Sequence, residues 1–315
     1  MNDSPAPRFG RFPSRRAIVS SGLALCASAL ASRAAAEPAQ SSAALITRPI
    51  PHSGEPLPVV GLGTAVAFPS ATEAQRGALK GVIDALIDGG CKLIDTASTY
   101  GNAESVIGDI VHDGNLRGRI FLATKIEVRS RKAGADEFDR SLKRLRTDKV
   151  DLLQLHNVSH ANQSLAQLRE WKAAGRCRYV GVTSTDEGDY DAMEAIIRRE
   201  KPDFVQVEYS AATRTAEKRI IPAAAEAGAA VLTALPFGHA SVFASVRGKP
   251  LPDWAADIDA ASFGQLFLKF LIGNPNVTAV IPGTGKAEHM IDNVGAARGR
   301  LPDAQQREKI AALIA

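Results

Sequence analysis

Eight short apolar runs, each followed by a stretch with helical spacing, leave this chain few folds to choose from. The runs fall at 59–63, 92–95, 120–125, 150–156, 179–183, 204–207, 229–235 and 277–281, with helical patterns near 73–89, 103–113, 135–146, 163–174, 187–199, 215–227, 258–273 and 286–297. The runs do not alternate apolar with polar residues, as strands with one wet face do. They read as parallel strands covered on both faces. Strands that alternate with helices make a parallel α/β sheet, and a count of eight favours a closed (β/α)8 TIM barrel over an open doubly wound sheet. Residues 44–48 and 57–60 flank a turn at 51–55 and predict a short hairpin ahead of the barrel, and a last helix is predicted from about Pro302 onward. The chain has 315 residues, 45% of them apolar, enough for one core of this size. No linker or low-complexity tract interrupts 45–315, so a single barrel domain over 37–315 is expected. The longest irregular stretch, from Pro236 to about Asp257, follows the seventh run.

The formal charge of +4 points to an acidic partner until it is located on the chain. Residues 1–36 hold five arginines (Arg8, Arg11, Arg15, Arg16, Arg33) and one acid, Asp3, which leaves 33 basic and 33 acidic residues in the remainder. A neutral body removes the composition argument for nucleic acid or an anionic membrane surface as partner. The first 36 residues themselves read as a cleavable export signal: a basic start, a moderately apolar run from Ala17 to about Ser32, and Ala34, Ala35 and Ala36 before Glu37. Ser14-Arg15-Arg16-Ala17-Ile18-Val19 resembles the twin-arginine motif that sends folded proteins across the bacterial inner membrane, with Ile18 and Val19 where Phe and Leu are commoner. This predicts transport by the twin-arginine machinery and a periplasmic location. It predicts no lasting membrane span, because the apolar run is shorter than about 20 residues. Cleavage would remove Cys26 and leave Cys91 and Cys177, expected as buried free thiols, and no metal-ligand spacing is present.

Four ionisable groups close or follow consecutive strands. Asp95 ends the second run, Tyr100 lies in the loop after it, Lys125 ends the third run and His156 the fourth. The C-terminal ends of neighbouring parallel strands in a barrel stand one strand spacing apart, so the four groups share one mouth. An ammonium buried there needs a partner, and Asp95 is the nearest candidate. The chemistry that fits is protonation of a carbonyl oxygen as hydride reaches its carbon. A free phenol is a weak acid at neutral pH, but a nearby cation stabilises the phenolate. Asp95 would hold Lys125 in place, and His156 would donate a hydrogen bond to the same oxygen. None of these residues delivers hydride, so a nicotinamide cofactor is implied. Gly61-Leu62-Gly63 after a strand suggests a Rossmann dinucleotide loop, yet Val66 fills the third glycine position of that fingerprint.

Gly61-Leu62-Gly63-Thr64, Asp95 with Tyr100 five residues on, Lys125 and His156 resemble the catalytic core of the aldo-keto reductases. The likeness spans about 45–300. It extends through Gly181-Val182-Thr183-Ser184, Gln206-Val207-Glu208-Tyr209-Ser210, and Ile281-Pro282-Gly283-Thr284 with Asp292-Asn293. The resemblance implies Asp95, Tyr100, Lys125 and His156 as the catalytic set, with Tyr100 as general acid. It implies a site for NADP, with NAD as second choice: Thr183, Ser184 and Gln206 on the carboxamide and Tyr209 stacked on the nicotinamide. Thr64, Leu235, Gly283, Thr284, Gly285, Lys286, His289 and Asn293 would line the remainder. Family members often carry Lys after the last Ile-Pro and Arg six residues later, to grip the 2′-phosphate, where this chain has Gly283 and His289. The Gly283-Thr284-Gly285 turn keeps backbone N–H groups for phosphate, and Lys286 supplies a charge. The implied substrate is a small carbonyl compound or alcohol, bound by a monomer in an open site lined by Phe68, Val128, Asn157 and Trp254. The alternative is a cofactor-binding regulatory or redox-sensing barrel with little turnover.

Overall fold

Residues two apart on a strand face the same way, and this sorts the apolar side chains of the sheet into two cores. In the computed structural model, which describes residues 43–128, 130–158 and 165–314, Leu93, Phe121, Ala123, Leu152, Phe204 and Leu232 pack together inside the barrel. Their sequence neighbours Ile94, Leu122, Leu153, Val205 and Val231 belong to the outer core, against the helices. Burial on both faces is why the strands carry continuous apolar runs.

The chain opens with a hairpin, β1 (Thr47–Pro49) antiparallel to β2 (Pro56–Pro58), with Arg48 opposite Leu57. Ile50 and Leu57 join the interior cluster, so the hairpin plugs the end of the barrel at which the strands begin. Eight parallel strands follow in chain order: β3 (Leu62–Gly63), β4 (Leu93–Asp95), β5 (Phe121–Ile126), β6 (Val150–Leu155), β7 (Cys177–Ser184), β8 (Phe204–Glu208), β9 (Ala230–Ala234) and β10 (Ala279–Val280). The helices are α1 (Glu73–Asp88), α2 (Ala103–Asp113), α3 (Arg131–Arg144), α4 (Ala166–Ala173), α5 (Tyr190–Glu200), α6 (Thr215–Lys218), α7 (Ile220–Glu226), α8 (Ser241–Ser245), α9 (Phe263–Ile272), α10 (Ala287–Gly295) and α11 (Ala304–Ala311). The last strand returns to the first: Val280 N–H donates to Val59 O at 2.9 Å, Gly61 N–H to Val280 O at 2.8 Å and Gly63 N–H to Pro282 O at 3.0 Å. A Cβ on Gly63 would lie 2.7 Å from Ile281 O, so this close approach of two backbones requires glycine.

Local signals explain the helices. In α1, Leu79, Val82, Ile83 and Leu86 recur every three or four residues and form the buried face. Gln75 reaches back to accept from Thr72 N–H at 2.9 Å, and Gly90, at φ +86°, marks the exit. Several predicted boundaries move. The helix expected over 215–227 breaks at Arg219, where φ is −135° and ψ −68°. The helix expected from 258 starts only at Phe263, where the Ser262 hydroxyl accepts from Gln265 N–H. The stretch after β9, expected to be irregular, contains α8 and a 3-10 helix at Asp253–Ile258 that bury Val242, Ala255 and Ile258. Cys91 and Cys177 are buried free thiols, and burial pushes each up to about 12. No helix among the described residues is long and apolar enough to cross a membrane. The predicted export signal, 1–36, lies outside the described residues.

Candidate active site

Counting in twos along the strands carries the chain from apolar interior to polar mouth. Leu93 leads to Asp95 on β4, Phe121 and Ala123 lead to Lys125 on β5, Leu152 leads to Gln154 on β6, and Phe204 leads to Gln206 on β8. Lys125 Nζ donates to Asp95 Oδ2 at 2.6 Å and to Thr96 O at 2.8 Å. Both side chains are almost fully buried, at 1% and 2% exposure. The same Nζ stands 5.0 Å from the centre of the Tyr100 ring, and that ring meets His156 edge-on at 5.7 Å. Behind the pair, Gln206 Nε2 reaches Asp95 Oδ2 at 3.4 Å, and Gln154 Nε2 donates to Gln206 Oε1 at 2.8 Å. The loop carrying Tyr100 is itself tied down. Ser98 N–H donates to Lys125 O, and buried Glu104 accepts from Thr124 Oγ1 at 2.6 Å and from Arg144 Nε at 2.7 Å.

Burial opposes the charge on Lys125, but the Asp95 carboxylate and Tyr100 outweigh it and hold the ammonium above the ordinary lysine value. Burial pushes the Asp95 carboxyl up, with the Lys125 charge and the Gln206 amide pulling against it. The cation is the better supported of the two charges. Nζ has two oxygen acceptors and the phenol beside it, whereas Asp95 Oδ1 finds no partner among the described residues. His156 is pushed down to about 4, first by burial and then by the Lys125 cation, so its imidazole is neutral at pH 7. The site therefore presents a fixed cation under a phenol, beside a neutral imidazole.

Asp95, Tyr100, His156 and Gln206 open on a cavity of about 220 Å³ at the C-terminal end of the barrel, walled also by Thr64, Asn157, Thr183 and Thr185, while Lys125 is buried behind them and is not part of the wall. Val66, Leu235, Pro236 and Gly283 line this cavity and also a larger groove of about 750 Å³. The groove adds Phe237, Phe243, Thr284, His289, Asp292 and Asn293. Residues 59–314 match the Aldo/keto reductase family. The chain belongs to that family. It is 25% identical over 258 residues to an oxidoreductase of Bacillus subtilis, YqkF, covering 70% of this chain and 82% of that one. An aldo-keto reductase of Mycolicibacterium paratuberculosis is 32% identical over 137 residues, a match to only 46% of its length. An aldo-keto reductase of Klebsiella pneumoniae, solved with NADPH, superposes with a TM-score of 0.70 at 26% identity, covering 86% of this chain and 94% of that one. Membership makes the chain an oxidoreductase of the carbonyl–alcohol couple.

Of the residues expected around the dinucleotide, Thr64, Thr183, Gln206, Leu235, Gly283, Thr284, His289 and Asn293 face one or both spaces. Gly285 and Lys286 are not among their walls, although Lys286 N–H donates to Thr284 Oγ1 at 3.1 Å and so shapes the turn. Two expectations need correction. Tyr209 has no exposed surface: its ring packs against Phe270 and its hydroxyl accepts from Arg307 at 2.6 Å, so it cannot stack on a nicotinamide. Ser184 is also turned away, its hydroxyl donating to Asp189 Oδ2 at 2.7 Å, while Thr185 faces the cavity in its place. Among the expected substrate-site residues, Asn157 lines the cavity. Phe68 is wholly buried in the outer core, and Val128 and Trp254 pack against that core. Thr185 and Gln154 carry no signal in the sequence motifs, and Asp292, part of the Asp292-Asn293 signature, lines the groove beside Asn293. Asp292 is held by Ser262 at 2.7 Å and Gln265 at 2.9 Å, and this pairing of the start of α9 with α10 joins residues about 30 apart in sequence.

Proposed function

We propose that this chain reduces a small carbonyl compound, or oxidises the corresponding alcohol, with NADP(H) as the redox partner and Tyr100 as the general acid. The observation that carries the reading is the Lys125 cation, paired with Asp95 at 2.6 Å and lying 5.0 Å from the centre of the Tyr100 ring at the cavity mouth. A cation so placed favours the phenolate left when Tyr100 gives up its proton. Asp95 and Thr96 O keep the cation from swinging away. His156, neutral, is suited to hydrogen-bond the carbonyl oxygen beside Tyr100 without competing as an acid.

The groove's residues fit a dinucleotide. At about 750 Å³ it is roomy and largely apolar-walled, it joins the catalytic cavity through four shared residues, and Gly264 and Gly283 leave parts of its wall free of side chains. A nicotinamide dinucleotide bound there supplies the hydride. Thr183 and Gln206 would hold the carboxamide, with Gln206 oriented from behind by Gln154. Thr284, His289 and Asn293 would meet the distal half, where the start of α10 favours phosphate. The Klebsiella reductase, solved with NADPH, supports NADP as the dinucleotide. The test is to mix purified protein with NADPH and a panel of aldehydes and ketones and follow nicotinamide absorbance, beside Tyr100→Phe. Turnover lost in the variant with unchanged dinucleotide affinity is expected. Full activity in Tyr100→Phe would sink the mechanism, and no turnover on any substrate despite tight binding would favour a regulatory barrel.

We further propose that residues 1–36 are removed after twin-arginine export to the periplasm. The reading is supported by Arg15-Arg16, the apolar run after them and the small residues ending at Ala36. Replacing Arg15 and Arg16 by lysine should leave precursor in the cytoplasm, and an unchanged periplasmic yield would rule out that route.

A further inference from the structure

We infer that Thr99 is a positioning residue that sets the tautomer of His156, so that the imidazole presents an N–H to the substrate oxygen. Thr99 Oγ1 lies 3.2 Å from His156 Nδ1. Among the described residues this is the only hydrogen-bond partner of either side chain, so Nε2 is left for the cavity that His156 helps to wall. A neutral imidazole carries one N–H and one lone pair, and whichever nitrogen accepts a bond fixes the other as the donor. Burial and the Lys125 cation keep this imidazole neutral, with its pKa pushed down to about 4, so the choice between tautomers is real at working pH. A hydroxyl can fill either role towards Nδ1. The cavity side decides between them.

If Nδ1 carried the proton, Nε2 would turn a lone pair towards the place where a carbonyl oxygen must sit. Two acceptors would then face each other, and the Tyr100 hydroxyl would have a competing acceptor for the proton it is to give away. With Thr99 donating to Nδ1, Nε2–H and the Tyr100 hydroxyl both point donors at one oxygen. Thr99 is adjacent to Tyr100 in a turn closed by Tyr100 N–H to Ala97 O, and Ser98 N–H ties that turn to Lys125 O. One short loop thus delivers both the acid and the group that orients its neighbour.

The inference rests on the reading that His156 donates to the substrate oxygen, and the test separates the two. Full-length protein labelled with ¹⁵N-histidine gives the protonation of each ring nitrogen by long-range ¹H–¹⁵N correlation, with His156→Gln assigning the signal among the six histidines. In the wild type His156 should be neutral, protonated at Nε2 and bare at Nδ1. Thr99→Val should lower kcat about fivefold, the loss of one modest hydrogen bond, with the KM for dinucleotide unchanged, and Thr99→Ser should restore most of the rate. Thr99→Asp can only accept, so it should draw the proton to Nδ1 and lower kcat by roughly a hundredfold, the scale of a lost donor to the reacting oxygen. A wild-type spectrum with the proton on Nδ1 would overturn the inference, as would a Thr99→Asp enzyme with unchanged tautomer and rate. Should Tyr100→Phe keep full activity while the Nε2–H tautomer is observed, the catalytic reading fails and the role of Thr99 in fixing the ring stands.

Discussion

Replacing Lys125 by methionine should destabilise the protein in a pH-dependent way, and adding Asp95→Asn should undo most of the loss. In the wild type the Asp95 carboxylate is 2% exposed, with Oδ2 at 2.6 Å from Nζ and Oδ1 unpartnered among the described residues. Without the ammonium, that carboxylate keeps only the Gln206 amide at 3.4 Å. Removing one side of a buried pair costs about 3–5 kcal/mol. The carboxyl can evade part of this by taking up a proton. Burial already raises its pKa, and the Lys125 charge is the largest influence opposing that rise. A carboxyl whose folded pKa exceeds its unfolded value near 3.8 binds extra protons when folded. The Asp95 contribution to stability in Lys125→Met is therefore most favourable at low pH and is lost as pH rises through the folded pKa. The double variant has no carboxylate there, so it should lose this pH dependence and regain about 2–4 kcal/mol at pH 8. With roughly 2–4 °C of Tm per kcal/mol, the two variants should differ by on the order of 10 °C at pH 8 and converge towards pH 5. Thermal melts at both pH values measure this. Losses that simply add, or the same pH dependence in single and double variants, would refute the view that the two residues act as a pair.

Between pH 4 and 6.5 the unfolded chain binds a proton at His156 that the folded chain refuses, because the folded value is pushed down to about 4 from 6.5. Stability therefore rises with pH across that window, and His156→Gln should remove part of the rise; superimposable denaturation curves for the two proteins would contradict the shift. Tyr209→Phe should cost about 1 kcal/mol, the bond from Arg307, and leave dinucleotide affinity intact. A weakened Kd by fluorescence titration would instead reinstate Tyr209 as a stacking residue. Gly108→Ala should lower stability by about 1–3 kcal/mol, because a Cβ there would lie 2.1 Å from Arg144 O and push α2 off the end of α3. An unchanged Tm would show that the two helices part freely.

The barrel was legible because burial on both faces forces every strand to be apolar throughout, and the polar residues then mark where each strand leaves the core. Asp95, Lys125 and His156 stand out in sequence for that reason alone. Less visible were contacts between residues distant in sequence that obey no local pattern, such as Thr99 with His156, or Ser262 and Gln265 with Asp292. Leu235 has a φ of +49°, a conformation unexpected for leucine, and it lines both the cavity and the groove. Of the residues that miss the site, Tyr209 and Ser184 had a signal that a stricter reading uses. On β8, Phe204 and Gln206 face inward while Val205 and Val207 face the outer core. Tyr209 stands three residues after Gln206 and is still held in line by its N–H to Ala234 O, so parity sends it outward, where Phe270 and Arg307 receive it. On β7, Tyr179 packs inside the barrel and Thr183 lines the cavity, which turns Ser184 away and returns Thr185 to the mouth. A motif names residue types at a spacing, whereas the two-residue period of a strand decides which of them reaches the reacting atoms.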